Sequence, residues 1–233
     1  MSQYPELQGK VAVITGAGRQ AGLGEAMAKR LASEGCKVVI TDIGKSVSEH
    51  TPDSAIGHSD EMNQIVADIK QAGGEASAFV CNVLDEKDVQ AAVNFAVDTY
   101  GSVDIWVNNA GIGYLMKSIL DMQVDEWDAV LGVNLRGTFL GIKYAGEQMV
   151  KQGKGGKIIN IGSQASKSAF GHASAYTTSK HGMNGLTRVA AIELGSHKIN
   201  VNEICPNHVT TGLGAWQNAH FSEVTGKGHE QYM

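Results

Sequence analysis

Tyr176-Thr177-Thr178-Ser179-Lys180 lies in a segment of helical period. Residues four apart share a helix face, so the Tyr176 phenol and the Lys180 ammonium can act together. A free tyrosine titrates near about 10, and ionising it at pH 7 costs about 4 kcal/mol. A neighbouring ammonium favours the phenolate. Such a tyrosine takes the hydroxyl proton of an alcohol in one direction and protonates a ketone oxygen in the other. The Tyr-x3-Lys spacing alone arises readily by chance. Ser163 adds to it, because it ends a strand-like run 13 residues earlier. Its hydroxyl can hold a substrate oxygen as charge develops there. Ligands of open α/β sheets bind outside the carboxyl ends of the strands, where these three side chains can meet.

A second constellation is the glycine loop Thr15-Gly16-Ala17-Gly18-Arg19-Gln20-Ala21-Gly22-Leu23-Gly24. It stands between a strand-like run and a helical segment, the context a dinucleotide pyrophosphate needs. The glycines let backbone approach the phosphates, and the helix start offers free N–H groups and partial positive charge. Asp42 ends the second strand, 20 positions after Gly22. A carboxylate there accepts hydrogen bonds from an adenosine ribose and repels a 2′-phosphate, which favours NAD over NADP. Arg19 pulls the other way, since a loop arginine can pair with that phosphate.

The elements that must position these groups alternate along the chain. Apolar runs at Val11–Thr15, Lys37–Asp42, Ala76–Cys81, Val103–Asn108, Lys157–Ile161 and Ile199–Ile204 read as strands. Between them, Gly22–Glu34, Asp60–Ala72, Glu86–Tyr100, Asp125–Lys151 and Ser174–Leu194 read as helices. Nearly all-apolar strands separated by helices predict a parallel sheet covered on both faces. Right-handed crossovers give the doubly wound, Rossmann-type α/β order 3-2-1-4-5-6 in a single domain, 1–233. Residues 44–59 are polar and follow the second strand where a short loop would do. They read as a surface insertion, the alternative being a flap at the adenosine end of a cofactor.

Composition excludes several classes. The 233 residues carry a net charge of −5 and 42% hydrophobic residues, so a wholly disordered chain is excluded and nucleic acid is not the expected partner. Cys36, Cys81 and Cys205 form no CxxC, which points to a reducing, cytoplasmic setting. No apolar run approaches about 18 residues, so no membrane span is expected. Histidines show no paired metal-ligand spacing, and no metal is expected. The 29 glycines against 3 prolines indicate many tight turns.

Taken together and in order, the motifs resemble the short-chain dehydrogenases/reductases over essentially the whole chain. They are the loop Thr15–Gly24, Asn108-Asn109-Ala110-Gly111, Asn134 within Val133-Asn134-Leu135, Ser163, Tyr176-x3-Lys180 and Pro206–Thr211. The resemblance implies a catalytic set of Asn134, Ser163, Tyr176 and Lys180. Asn134 would hold a water linking Lys180 to solvent, and Lys180 would bind the nicotinamide ribose. Cofactor contacts would come from Gly16, Arg19, Gly22, Leu23, Gly24, Asp42, Ile43, Asn82, Val83, Asn109, Ala110, Gly111, Val209 and Thr211, besides Tyr176 and Lys180. It also implies a homodimer or homotetramer. Four departures stand out. The glycine loop is two residues longer than usual, and Asn207 and Asn200 replace a common glycine and arginine. The chain also ends at Met233, where the family usually continues through a further helix and strand. Residues 212–233 correspond to the substrate lid.

Gln164, His172, Asn207 and His208, with Tyr114 and Trp216, are the candidate substrate contacts. Their amide and imidazole groups suggest a small polar substrate such as a polyol, sugar or hydroxy acid. The expected activity is interconversion of a secondary alcohol and a ketone with NAD(H). Two alternatives stay open: an NADPH-dependent 3-oxoacyl reductase, and a cofactor-binding module without turnover.

Overall fold

A computed structural model describes residues 3–50, 53, 56–113, 115–207, 209 and 222. Its six strands are β1 (Val11–Thr15), β2 (Lys37–Asp42), β3 (Glu75–Val80), β4 (Ile105–Asn108), β5 (Gly156–Ile161) and β6 (Ile199–Ile204). All pairs are parallel and the order is β3-β2-β1-β4-β5-β6, the doubly wound arrangement that the strand–helix alternation predicts. β1 is buried along its whole length, which is why its sequence VAVIT is apolar rather than alternating.

Helices cover both faces. α1 (Leu23–Ser33) and α2 (Ser59–Gln71) bury Ala28, Ala32, Met62, Ile65 and Ile69 against Ile14, Val38 and Ile40. On the other face lie α3 (Glu86–Tyr100), α5 (Gly137–Gln152) and α6 (Ser174–Gly195). They contribute Val89, Ala92, Leu140, Ala145 and Ala190 to a cluster around Val13, Val39, Trp106 and Ile158. None of the described helices is long and apolar enough to cross a membrane.

The long helix expected over Asp125–Lys151 is interrupted. α4 (Val124–Leu131) runs into a π turn at Gly132–Arg136, and α5 follows. The Gly137 N–H reaches back five residues to the Gly132 carbonyl. One extra residue per turn re-aims the side chains there, and Asn134 is swung into the interior, where it is wholly buried. The fourth strand is shorter than expected because Val103 N–H donates to Gln152 Oε1 instead of joining the ladder.

A buried polar chain sets the height of β4 against β5 and α6. Trp106 Nε1 donates to Asn108 Oδ1 at 2.7 Å, and Asn108 Nδ2 to Asn160 Oδ1 at 2.8 Å. Asn160 Nδ2 then donates to Thr187 Oγ1 at 2.9 Å. Each donor is buried and satisfied, as a low-dielectric interior demands. Asn108→Ala strands the Trp106 N–H and the Asn160 oxygen together. We expect it to lower stability by about 2–4 kcal/mol, read from the urea midpoint. An unchanged midpoint would contradict this role.

Candidate functional site

The carboxyl ends of β1, β4, β5 and β6 open into one cavity of about 780 Å³. β1 delivers the glycine loop to its floor. Thr15 Oγ1 donates to Val107 O and accepts from the N–H groups of Asn109 and Ala110. Asn109 Nδ2 in turn donates to the carbonyls of Thr15 and Gly16 at 2.9 and 2.8 Å. The loops after β1 and β4 are thereby tied edge to edge. α1 starts at Leu23 with Gly22 as its cap and no side chain bonding the first turn. The N-terminal N–H groups at Leu23 and Gly24 thus sit uncapped by any side chain in the cavity wall, which suits an anionic pyrophosphate.

Asp42 closes the far end. Its Oδ2 accepts from Gly18 N–H at 2.9 Å. Its Oδ1 accepts from the Ile43 and Gly57 N–H groups at 2.8 and 3.1 Å. Burial pushes the Asp42 carboxyl above its usual range, and the three N–H groups and Arg19 oppose that. Gly57 belongs to the 44–59 segment, and a side chain there would strike the Gly18 backbone. Val47, Ser48 and Ile56 of the same segment line the cavity. His50 Nε2 lies 3.0 Å from Asp125 Oδ2 on α4, a contact that holds the Asp125 carboxyl below its usual range. The described part of this segment therefore borders the cleft at its Asp42 end.

At the other end stand the candidate acid–base residues. Ser163, Tyr176 and Lys180 all line the cavity. Ser163 Oγ accepts from Ala165 N–H at 3.1 Å, which leaves its own hydrogen to donate into the cleft. Lys180 Nζ donates to Ile161 O at 2.8 Å and lies 5.7 Å from the centre of the Tyr176 ring. Burial pulls the Lys180 ammonium down to about 8, and the Glu203 carboxylate opposes the fall. Asn134 stands behind them. Its Oδ1 accepts from Ile112 N–H at 2.8 Å, and its Nδ2 donates to Ile112 O and Ser179 Oγ at 2.9 and 3.0 Å. Both amide hydrogens are spent, so this side chain ties the loop after β4 to α6 and has no proton left for a water.

Of the other sequence candidates, Gly16, Arg19, Gly22, Leu23, Gly24, Ile43, Asn82, Val83, Asn109, Ala110, Gly111, Asn207 and Val209 also line the cavity. Gln164 and His172 do not: Gln164 is exposed in the turn after Ser163, and His172 sits on a loop at φ 63°. Tyr114, His208, Thr211 and Trp216 lie outside the described residues, as does nearly all of 212–233. Sequence reasoning missed Ile112, Ala129 and Val133 in the cavity wall. Their neighbourhood to the Asn-Asn-Ala-Gly stretch and to Asn134 was the available signal.

The family model for short chain dehydrogenases matches residues 10–220. The chain belongs to that family. It is therefore an oxidoreductase of a class that uses nicotinamide cofactors. A short-chain dehydrogenase/reductase from Armillaria gallica is 40% identical over 221 residues, 94% of this chain and 77% of that one. A mitochondrial borneol dehydrogenase from Lavandula x intermedia is 41% identical over 225 residues, covering 94% and 78%. The crystal structure of carveol dehydrogenase from Mycobacterium avium, in complex with NAD, superposes with a TM-score of 0.83 at 30% identity, covering 88% of this chain and 73% of that one.

Lys180 makes a pH prediction. A fall from 10.5 to about 8 is worth ~3 kcal/mol. The folded pKa is the lower one, so below pH 8 the full cost of burying the charge is present. Between pH 8 and 10.5 the unfolded state binds more protons and the cost is relieved as pH rises. The stability of the wild type relative to Lys180→Met should therefore climb by ~3 kcal/mol between pH 7 and 10.5. Paired denaturant titrations check this, and a flat difference contradicts it.

Proposed function

We propose that this protein interconverts a secondary alcohol and a ketone with NAD(H). What carries the reading is one cavity whose wall holds the glycine loop and Asp42 at one end and Ser163, Tyr176 and Lys180 at the other. The nicotinamide, when bound, supplies the hydride acceptor or donor. Gly16, Leu23 and Gly24 would cradle its pyrophosphate, and Asp42 would take the adenosine ribose. Tyr176 moves the hydroxyl proton, and the buried Lys180 ammonium favours the phenolate that takes it. The Ser163 hydrogen holds the substrate oxygen. NAD over NADP is supported by the Asp42 carboxylate, crowded by Gly18 and Gly57, since a 2′-phosphate would bring a second negative charge against it.

The substrate reading shifts from the sequence expectation of a polyol, sugar or hydroxy acid. Among its described carriers only Asn207 faces the cavity. Tyr176 is packed with Ile112, Ala129 and Val133, an apolar wall that favours an apolar carbon skeleton with a single polar contact.

The test follows nicotinamide absorbance with NAD⁺ and NADP⁺ against cyclic secondary alcohols, polyols, sugars and hydroxy acids. We expect NAD⁺ reduction with an apolar cyclic alcohol and a loss of about 10²–10⁴-fold in Tyr176→Phe. Full activity in Tyr176→Phe overturns the mechanism. Preference for a polyol overturns the substrate class alone. NADH binding with no turnover of any alcohol favours a binding module instead.

A further inference from the structure

Glu203 is the half-buried next-to-last residue of β6. Its Oε1 accepts from Ser166 Oγ at 2.6 Å, in the turn that begins at Ser163. Its Oε2 accepts from Asn184 Nδ2 at 2.5 Å. Asn184 sits on α6 one helical turn beyond Lys180, and two beyond Tyr176. Ser166 Oγ also accepts from Ser163 N–H at 3.2 Å. One carboxylate on one strand thus grips both elements that bear the acid–base side chains. The grip depends on Gly162: a side chain there would collide with Glu203 Oε1 and come within 2.8 Å of Ser166 Oγ.

We propose that Glu203 is a positioning residue for the alcohol–ketone reaction. It clamps the turn that carries Ser163 to the helix that carries Tyr176 and Lys180. The inference rests on the reading given under Proposed function. Its chemistry is that of charge-assisted hydrogen bonds, which are shorter and about twice as strong as neutral ones. Misplacing a catalytic hydroxyl by about 1 Å can cost about 10²-fold in rate.

The carboxylate has a second effect. Among the described residues, the titratable groups near Lys180 are Glu203 and Cys205 on the β6 side and Tyr176 on its own helix. β5 presents only the Ile161 carbonyl. The loop after β4 and the π turn present the Gly111 backbone and the Asn134 amide, both neutral. Glu203 therefore opposes the loss of the Lys180 proton that burial promotes.

The experiment compares wild type, Glu203→Ala, Glu203→Gln and Ser166→Ala. The readouts are steady-state kinetics and a ¹³C-lysine NMR titration, with Lys180 assigned through Lys180→Met. We expect Glu203→Ala to lower kcat at least tenfold while KM for NAD⁺ moves less than threefold. Glu203→Gln should recover most of that kcat, because Asn184 can turn its amide to meet the new donor. Ser166→Ala should lose kcat yet keep the wild-type Lys180 titration midpoint. Both Glu203 variants should lower that midpoint. Wild-type kcat in Glu203→Ala or in Ser166→Ala overturns the clamp, and an unchanged Lys180 midpoint in Glu203→Gln overturns the effect of the carboxylate on Lys180. Should Glu203→Ala fail to fold, Glu203→Gln and Ser166→Ala carry the comparison. Failure of the alcohol–ketone reading shows separately, as absent turnover in wild type or full activity in Tyr176→Phe; the NMR midpoint still decides whether Glu203 acts on the Lys180 charge.

Discussion

The cleft is organised around a lysine taken out of water. Lys180 projects from α6 to the end of β5, where it is buried and donates to the Ile161 carbonyl. An ammonium in such a place is expensive, and the structure around it is what keeps it there. α6 must start at a fixed distance from β5, the loop after β4 must cover the ammonium, and acids must stand near without forming a close pair that would neutralise it. Each requirement is met by a different piece of the fold.

The distance between β5 and α6 comes from the polar chain that runs from Trp106 through Asn108 and Asn160 to Thr187. It crosses a core that is otherwise largely apolar, and hydrogen bonds specify a register that apolar packing alone leaves loose. The cover comes from Asn134, whose amide grips Ile112 on both its N–H and its carbonyl. The π turn supplies the rotation that brings Asn134 there. The same logic repeats at the cofactor end, where Asp42 replaces Asn134 as the polar hub and takes three backbone N–H groups. Both hubs use short, branched polar side chains at strand or helix ends, where backbone groups lack ladder partners.

Much of this was legible in the residues. β-branched apolar runs gave all six strands and the order of the sheet, because strands buried on both faces cannot hide polar residues. Tyr176 and Lys180 were legible from helical spacing, Ser163 and Asp42 from their places at strand ends. The break in the helix at Gly132–Arg136 was not, because it answers a tertiary contact between Asn134 and Ile112, 22 residues away. Nor was the packing of Gly57 on Gly18, for the same reason. Gln164 and His172 illustrate the converse: nearness in sequence to Ser163 and Tyr176 is not nearness to the cavity, since a short 3-10 turn from Gln164 to Ser166 carries Gln164 to the surface. Glu203 was visible as an acid in an otherwise strand-forming run, yet its partners Ser166 and Asn184 come from two other elements.

In the proposed reaction, the cavity passes a hydride between an alcohol carbon and a nicotinamide. Its most direct measurement is isotopic. The alcohol that supports turnover, deuterated at its carbinol carbon, is incubated with NAD⁺ and wild-type protein, and the nicotinamide product is weighed by mass spectrometry. The account predicts one deuterium in each reduced nicotinamide and a slowed rate with the labelled alcohol. Reduced nicotinamide formed without the label would contradict it, because the hydride would then have come from elsewhere.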